Sequence, residues 1–180
     1  IWGSTWLVIR FGLEDLPPLS SAAVRFAAAA LLMVGVVRLL AAREGAAVAC
    51  ADLDAESAAV TAGLVADEGV STVVLEGDVR DAETCARIVA DAAAALGGLD
   101  AVVCNVGIAA GMGMQGTTAD DWDLTFSVNV RSHFLVAQAA LPLLESGSAI
   151  VFVSSLAGLR PGSRIPAYDS SKAALAGLCR

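Results

Sequence analysis

Lysine and tyrosine are nearly absent from this 180-residue chain, which holds one of each, Lys172 and Tyr168, and whose other ten basic residues are all arginine. Positive charge is short overall: 19 acidic residues face 11 basic ones for a formal charge of -8, and residues 44–180 contain no basic cluster. A nucleic-acid surface, which needs clustered Lys and Arg against phosphates, is thereby excluded. Cysteine is sparse too. Cys50, Cys85, Cys104 and Cys179 show no C-x-x-C spacing, and Cys50 and Cys104 sit in apolar runs. They read as buried free thiols in a reducing compartment, with no metal site expected.

What the chain has in excess is apolar residues, at 57%. The excess lies at the front, where residues 20–40 are nearly continuous apolar sequence, about the length that crosses a bilayer as a helix. Glu14, Asp15, Pro17 and Pro18 mark a turn before it, so residues 1–40 read as an apolar helical hairpin. Arg38 and Arg43 follow the second helix, and the positive-inside tendency places everything after Arg43 in the cytoplasm, tethered to the membrane through residues 20–40. A buried helix of a soluble protein is the alternative for the same segment. The words W-G-S-T-W from Trp2, L-P-P-L from Leu16 and R-F at Arg25 resemble the start of an EamA-type drug/metabolite transporter. Transport by this chain is not expected, because no later stretch reaches the roughly 20 apolar residues a crossing requires.

After residue 41 the pattern changes, which divides the chain into 1–40 and 41–180. Short β-rich runs at 46–51, 72–75, 101–104 and 149–153 alternate with helical stretches, the order that predicts an α/β fold. Asp54 is an N-cap for a helix closing before Gly69, a second helix spans 82–96 ahead of Gly97 and Gly98, and a long one runs over 119–144.

Tyr168 and Lys172 stand four apart in AYDSSKAALAGL, a helix-forming stretch in which such residues share a face. A phenol is a poor base at neutral pH, but an adjacent cation favours the phenolate and brings it toward the working range. As the single lysine, Lys172 brings a compact ammonium that can also reach ribose hydroxyls. Taken without context, the pair reads more readily as a solvated helix face that carries one lysine by accident.

Context is supplied by NVG at 105–107, SVNV at 127–130 and SSLAG at 154–158, which together with YDSSK resemble the short-chain dehydrogenase/reductase family from about residue 41 to 180. The resemblance implies an incomplete Rossmann-like, doubly wound parallel sheet and transfer of hydride between NAD(H) and a small secondary alcohol or ketone. By the same resemblance Ser155 orients the substrate carbonyl, with Ser154 the neighbouring candidate, and Tyr168 is the acid/base. Lys172 tunes Tyr168 and holds the nicotinamide ribose, and Asn129 supports a water-linked proton relay. Asn105 and Gly107 border the cofactor, Val106 and Cys104 departing from the commoner residues, while Asp78 and Val79 match the pair that contacts adenine. Asp52, after the first strand, can bond a ribose 2′-hydroxyl and repel a 2′-phosphate, which favours NAD over NADP. Family members pair through the long helix and the Y-x-x-x-K helix, which implies a homo-oligomer.

A literal G-x-G-x-x-G at Gly111, Gly113 and Gly116 is rejected as the dinucleotide fingerprint, since no strand leads directly into it and no second strand with a terminal acid follows. It reads as a flexible loop near the substrate pocket. The expected phosphate loop T-G-x-x-x-G-x-G has no counterpart in residues 1–40, and the chain ends eight residues after Lys172. An enzyme lacking its cofactor clamp and its C-terminal part, with its activity impaired in this chain, is therefore one expectation. A membrane-protein fragment with a cytoplasmic passenger, or a fusion product without function, are the others.

Overall fold

The computed structural model describes residues 45–160 and 162–179, so the apolar hairpin over 1–40, its membrane association and the transporter-like words lie outside the described residues. Among the described residues, no helix is long and apolar enough to cross a membrane. The chain runs β1 (Val48–Asp52), α1 (Ala55–Ala66), β2 (Thr72–Glu76), α2 (Ala82–Leu96) and β3 (Leu99–Cys104). A single turn at Gly113–Gly116 leads to α3 (Ala119–Phe126), a π-turn (Ser127–Arg131), α4 (Ser132–Ala140) and a 3-10 turn (Leu141–Leu143). Then come β4 (Leu144–Phe152), a second 3-10 turn (Leu156–Gly158) and α5 (Pro166–Leu178).

Local chemistry explains most helix boundaries. Asp54 accepts from the Glu56 amide and Asp81 from that of Thr84, so α1 and α2 open on side chains that satisfy orphan N–H groups. The Ser57 hydroxyl first and then the Glu56 amide hold the Asp54 carboxyl below its usual range, and the Thr84 amide does the same for Asp81. Thr118 and Asp121 form a reciprocal capping box on α3. Gly97, at φ +80, closes α2 in the left-handed conformation that a Cβ disfavours.

The strands pair in parallel, β1 with β2 and β3 with β4, as two two-stranded sheets. The α/β class and parallel strands agree with expectation. Among the described residues, however, no strand bridges β1 and β3, and side chains join the two pairs instead. Leu99 of β3 packs against the cluster of Leu75, Ile88 and Ala92. On the other face of β1, Cys50 packs on Ala58 and Ala62 of α1, so this pair is covered from both sides. Burying side chains of this kind is worth about 1.5–3 kcal/mol for each large aliphatic one.

The expected long helix over 119–144 is corrected. The five-residue π-turn interrupts it at Ser127–Arg131, Pro142 helps end it in a 3-10 turn, and Leu144 already belongs to β4. β4 begins at Leu144, ahead of residue 149; polar Glu145, Ser146 and Ser148 hid its start from the apolar pattern, and its register with β3 shifts between Leu99 and Ala101. The cysteines are free, three buried and Cys179 exposed.

Candidate active site

The site residues gather at the C-terminal ends of the strands, where open α/β sheets bind ligands. Asp52 closes β1, Asp78 and Val79 follow β2, Asn105 and Gly107 follow β3, and Ser154 and Ser155 follow β4. α5 brings Tyr168 and Lys172 to the same end. Both are buried, at 9% and 4% exposure, and the Lys172 Nζ stands 6.0 Å from the tyrosine ring centroid. Helical spacing therefore does place them together. Burial lowers the pKa of the Lys172 ammonium, whose Nζ donates to the Val153 carbonyl at 2.8 Å.

Asn129 sits in the middle of the π-turn with no exposure, and its amide is fully used. The Ile108 N–H donates to Asn129 Oδ1 at 2.8 Å, and Asn129 Nδ2 donates to the Ile108 carbonyl and to Ser171 Oγ, each at 2.9 Å. Ser171 Oγ in turn donates to the Tyr168 carbonyl at 2.8 Å. A π-turn widens the helix at one point, a feature often found at functional sites, and here it carries the residue that ties the loop after β3 to α5. Asn129 and Lys172 meet around Gly107, where a Cβ would lie 3.2 Å from Lys172 Nζ and 3.6 Å from Asn129 Oδ1. Glycine keeps that corner open.

The two serines have different surroundings. Ser154 Oγ donates to the Lys172 carbonyl at 2.7 Å, fixing α5 to the end of β4. Ser155 Oγ accepts from the Ala157 amide at 3.2 Å and has its hydroxyl proton free of any bond within the described residues. Behind both, Gly158 lies so close to α5 that a Cβ would fall 2.6 Å from the Lys172 carbonyl oxygen.

The β1–β2 side is looser. Asp52 is exposed, and its Oδ1 accepts from the Asp54 amide while Oδ2 has no bond among the described residues, leaving an acceptor for a ribose hydroxyl. Asp78 is bound by the Arg80 guanidinium through both oxygens, which holds its carboxyl below the usual range, and the Val79 carbonyl accepts from the Cys85 thiol. Both Asp78 oxygens are therefore shared with Arg80. The glycine-rich string is one short turn, Gly111 and Gly113 having positive φ, and its Gly113 amide donates to the Arg164 carbonyl at 2.7 Å. That loop is pinned rather than loose. Among the described residues no group of three metal-ligating side chains occurs.

Ser171, the Val153 carbonyl and His133 were not read from the sequence. Ser171 adjoins Lys172 and was visible inside the YDSSK word, while His133 stands one helical turn beyond Asn129. The His133 ring is buried against Phe152 with Nε2 unbonded among the described residues, and burial first, then the Lys172 charge, bring its pKa down to about 4.

Ser154, Ser155, Tyr168 and Lys172 thus stand together at the C-terminal rim of a parallel α/β scaffold. The chain belongs to the short-chain dehydrogenase/reductase family: the family model described as enoyl-(acyl carrier protein) reductase matches residues 35–180. That match takes in 35–40, which the sequence pattern had assigned to the hairpin. A probable galactose dehydrogenase, GalD, from Rhizobium meliloti is 34% identical over 142 residues, 77% of this chain and 56% of that protein. The human dehydrogenase/reductase SDR family member 2, mitochondrial, is 40% identical over 86 residues, 47% of this chain and 31% of its own length. A solved short-chain dehydrogenase/reductase mutant from Serratia marcescens superposes with a TM-score of 0.74 at 32% identity, covering 81% of this chain and 60% of that one. A putative short-chain alcohol dehydrogenase from Sinorhizobium meliloti gives 0.73 at 35% identity, covering 77% and 56%. The chain thus spans less than two thirds of the length of each of these relatives.

Proposed function

We propose that this chain carries the reaction centre of an NAD-dependent oxidoreductase that interconverts a secondary alcohol and a ketone. The observation that carries the reading is the buried Tyr168–Lys172 pair at the end of β4, with the Ser155 hydroxyl beside it in sequence order and in the family's positions. When bound, the nicotinamide supplies or accepts hydride at the carbinol carbon. Tyr168 Oη gives a proton to the carbonyl oxygen in reduction and takes it from the hydroxyl in oxidation. Ser155 donates a hydrogen bond from its free hydroxyl to the same oxygen and orients it, keeping its proton. Lys172, held by the Val153 carbonyl, keeps positive charge beside the phenol, and its remaining protons can reach ribose hydroxyls.

The residues present fit the nucleotide in part. Gly107 leaves clearance beside Lys172, and Asp52 offers the free oxygen that favours a ribose hydroxyl over a 2′-phosphate, hence NAD over NADP. Asn129 acts here by holding Ile108 and Ser171, and so the wall around Lys172. The apolar groove lined by Phe126, Val130, Phe134 and Leu178 supports pairing of two copies through α3, α4 and α5.

The test is NADH-dependent ketone reduction by the chain, with NADH binding followed by fluorescence. Tyr168→Phe is expected to lower the rate at least 100-fold, the lower end for positioned acid–base groups, with NADH binding retained. A variant as fast as the parent, or a chain that binds no NADH even with a T-G-x-x-x-G-x-G phosphate loop supplied ahead of β1, overturns the proposal.

A further inference from the structure

Five arginines fall within the described residues, and their partners separate them into two groups. Arg80 is paired with Asp78, Arg87 contacts Asp91 and donates to the Glu76 carbonyl, and Arg131 donates to the Arg80 carbonyl. Arg160 and Arg164 have no side-chain hydrogen bond or ion pair among the described residues, and both are exposed. Both also lie in the loop between Ser155 and Tyr168. Residues 153–167 contain no acid, although the chain as a whole carries -8. The nearest carboxylate in sequence, Asp169, is occupied: it accepts from the Gly162 amide and the Ser163 hydroxyl. The loop joining Ser155 to Tyr168 thus carries two arginines and no acid, with neither guanidinium bonded among the described residues.

Arg164 has a second peculiarity. Its φ of +65 makes it the one non-glycine residue with positive φ among the described residues. A left-handed backbone is disfavoured for a residue with a Cβ and persists where the surroundings over-determine it, as at ligand clamps. Here they do: the Arg164 carbonyl accepts from Gly113, Ser163 Oγ is bonded to Asp169, and the Ile165 amide donates back to Ser163 Oγ. A glycine would adopt this turn without strain, yet the position holds a long cationic side chain four residues before Tyr168.

We infer that Arg164 is a specificity-determining residue that receives an anionic group of the substrate, so that the chain's substrates are ketones or secondary alcohols bearing a carboxylate. The inference rests on the reading of this site as an alcohol/carbonyl oxidoreductase. A guanidinium presents a planar fork of donors that matches a carboxylate bidentately, and fixing the far end of a substrate orients its carbonyl toward the rim that carries Tyr168. Arg160 adds to the same field.

The discriminating pair is levulinate, a keto acid, and its neutral methyl ester. The parent chain is expected to show a kcat/KM ratio of roughly tenfold in favour of levulinate, a typical worth of one charged hydrogen-bonded contact. Arg164→Gly should bring that ratio to about one while raising the urea midpoint, because the strained φ is relieved; Arg164→Lys should keep an intermediate preference. A purely structural role would change both substrates equally and leave the ratio intact. Calorimetric titration of levulinate into parent and R164G supplies a readout independent of turnover: binding lost in R164G supports the inference even where neither ketone is reduced, a result that overturns only the oxidoreductase reading. A ratio near one in the parent, a preference that survives R164G, or a preference removed by Arg160→Gln and not by R164G overturns the assignment to Arg164.

Discussion

The two parallel strand pairs carry their candidate residues in different ways. At the end of β3–β4, Asn129, Ser171, Lys172 and Tyr168 are buried and bonded across long stretches of sequence, from the loop after β3 through the π-turn to α5. At the end of β1–β2, Asp52 and Asp78 are bonded to groups two residues away. The first arrangement couples site geometry to folding. The second leaves the carboxylates free to be changed with little consequence for the fold.

Four measurements can sharpen or break that contrast. The largest effect is expected from Asn129→Leu, which strands the Ile108 N–H and carbonyl and removes a partner of Ser171. A loss of about 4 kcal/mol in urea unfolding is expected, and a loss under 1 kcal/mol would show that the network is not structural. Next is acid sensitivity in the same region. The His133 pKa falls from 6.5 to about 4 on folding, so the unfolded chain binds the proton first and stability is lost as pH drops through that window. The loss amounts to about 3 kcal/mol, and His133→Phe should flatten the stability profile between those limits. Gly158→Ala follows, because its Cβ must displace the α5 backbone rather than a flexible side chain. It should cost about 2 kcal/mol. The smallest stability effect is expected at Asp52→Asn, within about 0.5 kcal/mol. The same variant should weaken NADH binding and narrow the preference over NADPH, both readable by fluorescence titration. A large destabilisation there would erase the difference between the two pairs.

Legibility followed the same division. Asp54 and Gly97 act within a turn of their own position, so their capping roles were readable from residue type and spacing. The Tyr168–Lys172 pair was readable because helical periodicity alone brings i and i+4 together. The π-turn was not, since an apolar pattern does not distinguish an inserted helical residue, and the true start of β4 was hidden by Glu145, Ser146 and Ser148. The anchoring of the G-x-G-x-x-G string to Arg164 is a contact between segments fifty-one residues apart, beyond the reach of a local pattern.

The chain's own sequence determined the α/β alternation, the caps, the single lysine and tyrosine one helical turn apart, and a family membership carried by four ordered motifs. Tertiary structure alone decided that Ser154 is spent on the Lys172 carbonyl while Ser155 keeps its proton, that Asn129 is a clamp, and that Arg164 takes a positive φ with its side chain unbonded among the described residues. The reason is physical. Backbone periodicity and capping depend on neighbours within a few residues, whereas the partner of a buried polar group is chosen by whichever distant segment packing brings within hydrogen-bond reach.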